Sequence, residues 1–444
     1  MNMNTKATLM HIFSTITLLG SSASWAQELT LSDAQKMARE NNPSIRQMNS
    51  EVEISRAKVT KALAPQLPQV NATARHLLDQ KFQVMEVSLG PTPIEFPVRQ
   101  PLSQVTLGAS LLVFDGFGTW NNYRSAKYER SAKELELERA EFELNQRVRD
   151  QYFKALGSQA LVEVAKQSVS MLEAHLDDVK NMIKGGVATK LDLLKVEVQL
   201  EDAKTDLLAA EDNAVLSVAQ LARVLGVNSI TGPLHGKLPV LESEMLKKLD
   251  LTKAERVDRR ALLNKEESAI AKSSASLSAW SPKIYLFGQQ EWYNFESSDI
   301  GGNSRFKDAY TVGVMLNWNL FDGGASTAER TIALEEIKKT REGLRALDQS
   351  IPVDIDFWKR KLTHGIAVYQ SGLSGIKKSE ETIRLAKSAV RAGTRTNTEV
   401  LDAEHDLNVA KAKVVHAQID AVESVSNLEL ALGKSLDILP GKEK

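Results

Sequence analysis

Cysteine is absent from the 444 residues of this chain, and its absence excludes several kinds of protein. Without cysteine there is no disulfide framework, no thiolate metal site, no cysteine nucleophile and no lipid-modified N-terminal cysteine. The formal net charge is only −1, so nothing points to nucleic acid as a partner. Long apolar runs are scarce too: beyond the N-terminus none reaches the ~20 residues of a membrane-spanning helix.

The first 26 residues have the pattern of a secretory signal peptide. Lys6 is the positive end, residues 7–20 (ATLMHIFSTITLLG) are moderately apolar, and Ser24 and Ala26 occupy the small-residue cleavage positions. A buried N-terminal helix is the alternative, but no other stretch of the chain resembles this one. We therefore expect an exported protein without a helical anchor, in which any membrane-embedded part is built from strands.

The chain contains two copies of one unit. VFDGFGTW at 113–120 matches LFDGGAST at 320–327, and KGGVATKLDLLKVEVQL at 184–200 matches RAGTRTNTEVLDAEHDL at 391–407. Internal repeats of this kind decide the architecture. We expect a signal peptide at 1–26, a first repeat at 27–226, a connecting segment at 227–252 and a second repeat at 253–444. Each repeat has the order helix, strand, strand, long helix, helix.

Apolar and small residues recur every 3.5 residues along the helical parts. The three-four spacing holds from Leu193 to Val224 and again from Val400 to Ala431, as in a coiled-coil seam. We expect Gly343 and Pro352 to kink or break the fifth helix. The connecting segment is too apolar for a free linker and is expected to pack against the helices. The predicted helices are 29–63, 119–183, 191–225, 253–279, 326–390 and 398–432.

Two segments alternate between apolar and polar residues, with Val105, Leu107 and Ala109 on one face of 104–114 and Val312 and Val314 on one face of 311–321. Weaker alternation predicts strands near 70–74 and 284–288. A proline-rich insertion in the first copy predicts a longer loop (Pro91, Pro93, Pro97, Pro101).

Ten-residue segments with one apolar face are typical of membrane β-barrels, although a half-buried soluble sheet is the alternative. Four strands leave two open edges and are too few to enclose a lumen. Several chains must therefore contribute to one barrel, and a trimer would supply twelve strands.

The doubled FDG motif (114–116 and 321–323), AGTRTNTEVLDAEHDLNVAK at 392–411 and LALGKSL at 430–436 resemble the TolC-type outer-membrane efflux proteins. The resemblance covers essentially the whole mature chain. It implies a mainly α fold with a small β part. The duplicated coiled-coil helices would form an α-barrel, and four strands per chain would contribute to a trimeric twelve-stranded membrane β-barrel.

The same resemblance implies a passive exit duct in the outer membrane of a Gram-negative bacterium, not an enzyme. Its partners would be two further copies of the chain, outer-membrane lipid, a periplasmic adaptor and an inner-membrane pump of RND, ABC or MFS type. The cargo would be small molecules or, in type I secretion, a protein. A periplasmic coiled-coil adaptor or scaffold is the rival interpretation, and it does not explain two pairs of strands at matched places.

The turns between paired helices carry the candidate gate. Glycine at these turns allows the chain to reverse: Gly185 and Gly186 in the first copy, Gly393 in the second. Glu399 and Asp402 lie three residues apart on one helix face. In a trimer they would form a ring of carboxylates, which makes a pore cation-selective.

The resemblance implies that this acidic ring lines a closed periplasmic entrance. It also implies an ionic latch between Arg395 and Asp192, and a solvated coiled-coil face is the alternative for all these charges. Lys195 stands where the second copy has Asp402, and whether it faces the lumen stays open.

The glycines of the FDG motifs are interpreted as turns from strand into helix (Asp115, Gly116, Asp322, Gly323). No metal site or cofactor is predicted. Glu404 and His405 are adjacent on a helix and cannot face one another, and the seven histidines are scattered.

Overall fold

The computed structural model describes residues 28–79, 83–88, 93–98, 100–247, 254, 256–294, 306–436 and 438. The predicted signal peptide lies outside this range. The helices are α1 (Leu31–Asn41), α2 (Pro43–Leu63), α3 (Gly118–Lys184), α4 (Lys190–Leu225), α5 (Ser243–Lys247), α6 (Val257–Ser276), α7 (Ala325–Arg391) and α8 (Asn397–Leu432). The strands are β1 (Gln69–His76), β2 (Gln83–Ser88), β3 (Pro93–Val98), β4 (Ser103–Phe114), β5 (Lys283–Asn294) and β6 (Lys307–Asn317).

The long helices of the two copies have the same lengths. Helices α3 and α7 each contain 67 residues, and α4 and α8 each contain 36. Their predicted bounds agree with the structure to within a residue or two. The predicted helix 29–63 is divided at Asn42, because Pro43 opens a new helix whose Ser44 amide is capped by the Asn42 side chain at 2.8 Å. Within the described part of the chain, no helix combines the length and the apolar character needed to cross a membrane.

Helix α7 runs without a break through Gly343 and Pro352, so of the predicted kink or break, the break is wrong. A proline inside a helix removes one backbone hydrogen bond and crowds the carbonyl four residues earlier. Packing against α6 offsets that cost on the N-terminal side of Pro352. Arg259 of α6 donates to both carboxylate oxygens of Asp348, at 2.7 and 3.1 Å, and Arg341 of α7 donates to Glu266 at 2.6 Å.

Four antiparallel strands form one sheet in the order β1-β4-β5-β6. The register pairs Ala72 with Leu107 and Val105 with Trp292, so the apolar residues predicted for each strand fall on one face of the sheet. That face is exposed in the isolated chain: Leu107 is 46% and Val312 71% accessible. A sheet whose apolar face is uncovered requires an apolar neighbour, as the alternating pattern predicts.

The proline-rich insertion forms a second, two-stranded sheet in which β2 pairs antiparallel with β3. The predicted longer loop between β1 and β4 therefore contains a β-hairpin that the prediction did not include. Proline is tolerated at the edge of a sheet, and a two-stranded hairpin consists of edges only.

The connecting segment packs against the helices, as predicted, where the structure describes it. Leu234 and Leu238 contact the core cluster of Leu29, Tyr152 and Leu225, while Leu241 belongs to a second cluster on α7 and α8. The two long helix pairs, α3/α4 and α7/α8, contact each other mainly through α3 and α8. This α3–α8 seam runs from the connecting segment to the helix tips and positions the candidate site.

Candidate functional site at the helix tips

The tip of the first helix pair is a tight turn closed by backbone and side-chain hydrogen bonds. Gly186 has φ +73°, and the Val187 amide donates to the Met182 carbonyl at 2.9 Å. Thr189 then caps α4. Its backbone amide and hydroxyl donate to Asp192 Oδ2 at 2.9 and 2.6 Å, and the Asp192 amide donates back to the hydroxyl at 3.3 Å. Asp192 is therefore engaged in a capping box within its own chain.

The tip of the second helix pair has the same backbone but different side-chain partners. Gly393 has φ +71°, and the Thr394 amide donates to the Ala389 carbonyl at 3.0 Å. The Thr396 side chain makes no capping hydrogen bond. Glu399, at the position that Asp192 holds in the first copy, instead accepts a hydrogen bond from Arg395 Nη1 at 2.6 Å.

The structure does not bring the predicted latch partners together within one chain. Arg395, in the turn before α8, is paired with Glu399 of the first turn of α8, and Asp192 is held by Thr189. The Arg395–Glu399 pair is open to solvent, with side chains 62% and 39% accessible. Of the predicted ring, Glu399 is half-buried and Asp402 exposed, while Val400 between them is buried in the seam.

Asp192→Ala is expected to loosen the first turn of α4, because it removes the carboxylate of the capping box. The loss should be about 1 kcal/mol and should appear as faster hydrogen exchange at the amides of Asp192 and Leu193. The Thr189 hydrogen bonds lower the pKa of Asp192. The contribution is therefore present above the ordinary carboxyl pKa and is lost as the pH falls through the lowered value.

Glu399→Ala is the matched control, because the repeat places Glu399 at the same helical position without a capping hydrogen bond to Thr396. Amide protection in the first turn of α8 should stay within error of the wild type. Equal loss of protection in the two variants would contradict the capping role of Asp192.

Lys195 links the two tips rather than standing alone. Its Nζ donates to Thr398 Oγ1 at 3.1 Å, from α4 to α8. A groove of about 520 Å³ lies beside this contact, with Leu191, Leu194 and Val198 on one wall and Leu401, Asp402 and His405 on the other. The tip therefore offers an apolar groove with one cation and one carboxylate at its rim.

A buried polar cluster lies above the tips, where α3 meets α7 and α8, and sequence reasoning missed it. It consists of His175, Asn397 and Glu404, with accessibilities of 3, 6 and 2%, and of Lys387, whose Nζ lies 2.8 Å from Glu404 Oε1. A signal was present: His175 lies three residues after Leu172 and four before Val179, and Glu404 lies four after Val400 and three before Leu407. Both therefore lie next to seam positions of the heptad pattern, on the side of the helix that faces its neighbours.

The strand-to-helix turns hold the other predicted residues. Asp115 accepts hydrogen bonds from the Thr119 amide and hydroxyl, both at 2.6 Å, and Gly116 has φ +68°. In the second copy Asp322 accepts from the Ser326 amide at 2.8 Å, and Gly323 has φ +70°. Each aspartate covers free amides at the start of a 67-residue helix.

The chain joins strands with an exposed apolar face to long paired helices, and it does so twice. Each helix pair ends in an acidic turn. This combination defines the class of outer-membrane channel proteins. The family comparison agrees with this class: the model of the outer membrane efflux protein family matches residues 34–227 and 249–434. The chain belongs to this family. It is therefore a channel protein of the Gram-negative outer membrane and not an enzyme, and the scaffold interpretation is excluded.

Individual relatives match over nearly their whole length. The outer membrane protein TolC of Vibrio cholerae is 23% identical over 426 residues, which is 93% of this chain and 92% of that protein. The alkaline protease secretion protein AprF of Pseudomonas aeruginosa is 19% identical over 414 residues, 91% of this chain and 84% of that protein. The crystal structure of VceC from Vibrio cholerae has the same fold, with a TM-score of 0.74, 18% identity and coverage of 92% and 97%.

Proposed function

We propose that the chain forms a homotrimeric exit duct, which carries small molecules or a secreted protein across the outer membrane without catalysis. The observation that carries the proposal is the four-stranded sheet, whose outer strands β1 and β6 pair with no further strand among the described residues. Unpaired strand edges are not tolerated in lipid. Three copies, joined β6 to β1, would close a barrel of twelve strands.

The duct needs partners that supply energy, because the chain itself is a channel. We propose a periplasmic adaptor docking at the helix tips and an inner-membrane pump of RND, ABC or MFS type. The groove beside Lys195 and Thr398 fits an apolar segment of an adaptor, since exposed Leu191 and Leu194 line it. AprF is a protease secretion protein by name, which supports protein export through this duct beside small-molecule efflux.

The gate is proposed at the tips, where Glu399 and Asp402 from three chains would form a cation-selective ring. Arg395 compensates part of that negative charge through Glu399. For a latch to Asp192 of the α3/α4 tip, Arg395 would exchange one exposed carboxylate for another, which costs little because surface ion pairs contribute about 0–1 kcal/mol. Opening would separate the α7/α8 tip from the α3/α4 tip.

Arg395→Ser is expected to raise the single-channel conductance of the purified protein in a planar bilayer and to strengthen cation selectivity. The substitution removes the cation that holds the tip and uncovers Glu399. Arg384→Ser is the matched control, because Arg384 is an equally exposed arginine of α7 that is paired with Glu381 at 2.7 Å. It should leave the conductance unchanged.

Two further variants identify the partner of Arg395. Asp192→Asn keeps a capping side chain but removes the charge, so a latch to Asp192 predicts that it raises conductance as Arg395→Ser does. Glu399→Gln removes only the partner that Arg395 has within its own tip, so a latch to Asp192 predicts that this variant does not raise conductance. A pore that Arg395→Ser leaves unchanged would remove the gate and keep the duct, whereas well-folded protein without a pore would overturn the duct.

A further inference from the structure

The α3–α8 seam changes character along its length. Near the connecting segment it holds a complete ion pair between Arg149 and Glu429, joined at 2.6 Å and almost fully buried. Toward the tips it holds the polar cluster of His175, Asn397, Glu404 and Lys387. His175 comes from α3 and the other three from α7 and α8, so the cluster spans the two helix pairs that the proposed gate separates.

The polar cluster is incompletely satisfied. Among the described residues, His175 Nε2, both amide atoms of Asn397 and both carboxylate oxygens of Glu404 lack a hydrogen bond of acceptable geometry. The Lys387 ammonium lies close to Glu404 as a charge, but not in hydrogen-bonding geometry. A buried polar atom that lacks a hydrogen bond destabilises the packed state. The α3–α8 seam is therefore held less firmly at this polar cluster than at the Arg149–Glu429 pair.

We propose that His175 acts as a proton-operated lock on the gate. Helices α3 and α8 stay packed at the tip while the His175 imidazole is neutral, and they separate when the imidazole takes up a proton. The proposal rests on the proposed gate and names how it is regulated. A protonated His175 imidazole in the packed seam would bring a second cation beside Lys387, and Glu404 is the nearest carboxylate to both. When the seam is separated, water solvates the protonated imidazole, so the cost of burying this second cation disappears.

The sign follows from the surroundings of His175. Burial lowers the pKa of His175 below the ordinary value of 6.5, and Lys387 of α7 adds to that shift. Glu404 and Asn397 of α8 and Asp178 of α3 oppose it. Asp178 itself lies 3.8 Å from Arg391 of α7. Because the pKa of His175 is lowered in the packed seam, the imidazole binds a proton more readily when the seam is separated. The packed state is therefore favoured above pH 6.5 and loses stability as the pH falls below that value.

A second buried group in the seam titrates with the opposite sign. Burial raises the pKa of Asp150 to about 7. Protonation of this carboxyl removes a buried charge, so acidification strengthens the packing of α3 on α8 at Asp150. Opening on acidification therefore belongs to the His175 cluster and not to Asp150.

The test is the open probability of the trimer in a planar bilayer between about pH 7.5 and about pH 5.5, a range above the ordinary carboxylate pKa. Each histidine can shift the closed-to-open ratio by up to about tenfold per pH unit, so the wild type should open several-fold more often at the lower pH. His175→Gln should abolish the opening on acidification and leave only the opposite effect of Asp150, which favours the packed seam at the lower pH. His416→Gln is the matched control, because His416 is an exposed histidine of α8 outside the tip groove, and it should keep the wild-type response.

A direct titration makes the outcome independent of conduction. Histidine hydrogen exchange read by mass spectrometry should give His175 a lowered pKa in the wild type and a value near 6.5 in Arg395→Ser. An ordinary pKa for His175 in the closed wild type would overturn the lock, as would a flat pH response in a channel that Arg395→Ser still opens. Folded protein with a lowered His175 pKa but no pore would overturn the proposed duct instead.

Discussion

Arg149→Ala is expected to lower the free energy of unfolding by about 3–5 kcal/mol, because it leaves a buried carboxylate without its cation. Glu429 is 1% accessible and lies 2.6 Å from Arg149 Nη2. Arg149 also donates to Ser426 Oγ at 3.0 and 3.1 Å, and the Leu436 amide donates to Glu429 at 2.7 Å. One arginine thus ties α3 to the end of α8 and to the segment that follows it.

The measurement is the denaturant midpoint of the detergent-solubilised protein, followed by circular dichroism of the helices. Arg130→Ala is the control: Arg130 is paired with Glu134 on the surface of the same helix, where the loss should stay below about 1 kcal/mol. The double replacement Arg149→Met with Glu429→Met should recover most of the stability, since neither charge is then buried. Equal midpoints for Arg149→Ala and Arg130→Ala would show that the buried pair does not hold the seam.

Much of the architecture could be predicted from the sequence because it follows from periodicity. The heptad spacing locates the long helices, and the alternation in 104–114 and 311–321 locates two strands. The glycines at 186 and 393 mark turns because a φ near +70° is strained for other residues. These signals depend on residues close in sequence.

The features that could not be predicted depend on contacts between distant residues. Pro352 would break an isolated helix, but α7 is supported by α6 through contacts that no local pattern contains. The prolines of the insertion predict irregular chain, and yet the backbone of β2 and β3 pairs. Such outcomes follow from tertiary packing, which overrides local propensity.

Side-chain partners at the tips were the hardest feature to foresee. The repeat aligns Asp192 with Glu399, but the longer side chain of Glu399 meets Arg395 four residues earlier, whereas Asp192 caps its own helix. Aligned positions in a duplicated chain therefore share a backbone and need not share a role. His175 and Glu404 differ from the tip residues in this respect. Their positions next to the apolar seam indicate a buried polar cluster, but the sequence does not show which side chains meet there.

Gly226→Ala is expected to be among the most damaging single-methyl changes in the chain. Gly226 ends α4 with φ +76°, and an added Cβ would lie 2.6 Å from the carbonyl oxygen of Asn41 and 3.0 Å from Cα of Asn42. Backbone atoms cannot move aside as a flexible side chain can. The Asn42 side chain also donates to the Val224 carbonyl at 2.8 Å, so this joint fixes the end of α4 on the α1–α2 junction.

The loss should reach roughly 3 kcal/mol, the sum of left-handed backbone strain and a forced backbone shift. Gly186→Ala separates the two causes, because Gly186 has nearly the same φ, +73°, with no atom within 4 Å of the added Cβ. It should cost only the strain, about 1–2 kcal/mol. Denaturant midpoints of the two variants distinguish these causes: equal losses would mean that the contact with Asn41 relaxes, whereas a larger loss at Gly226 would show that the last turn of α4 is anchored by its contact with the α1–α2 junction.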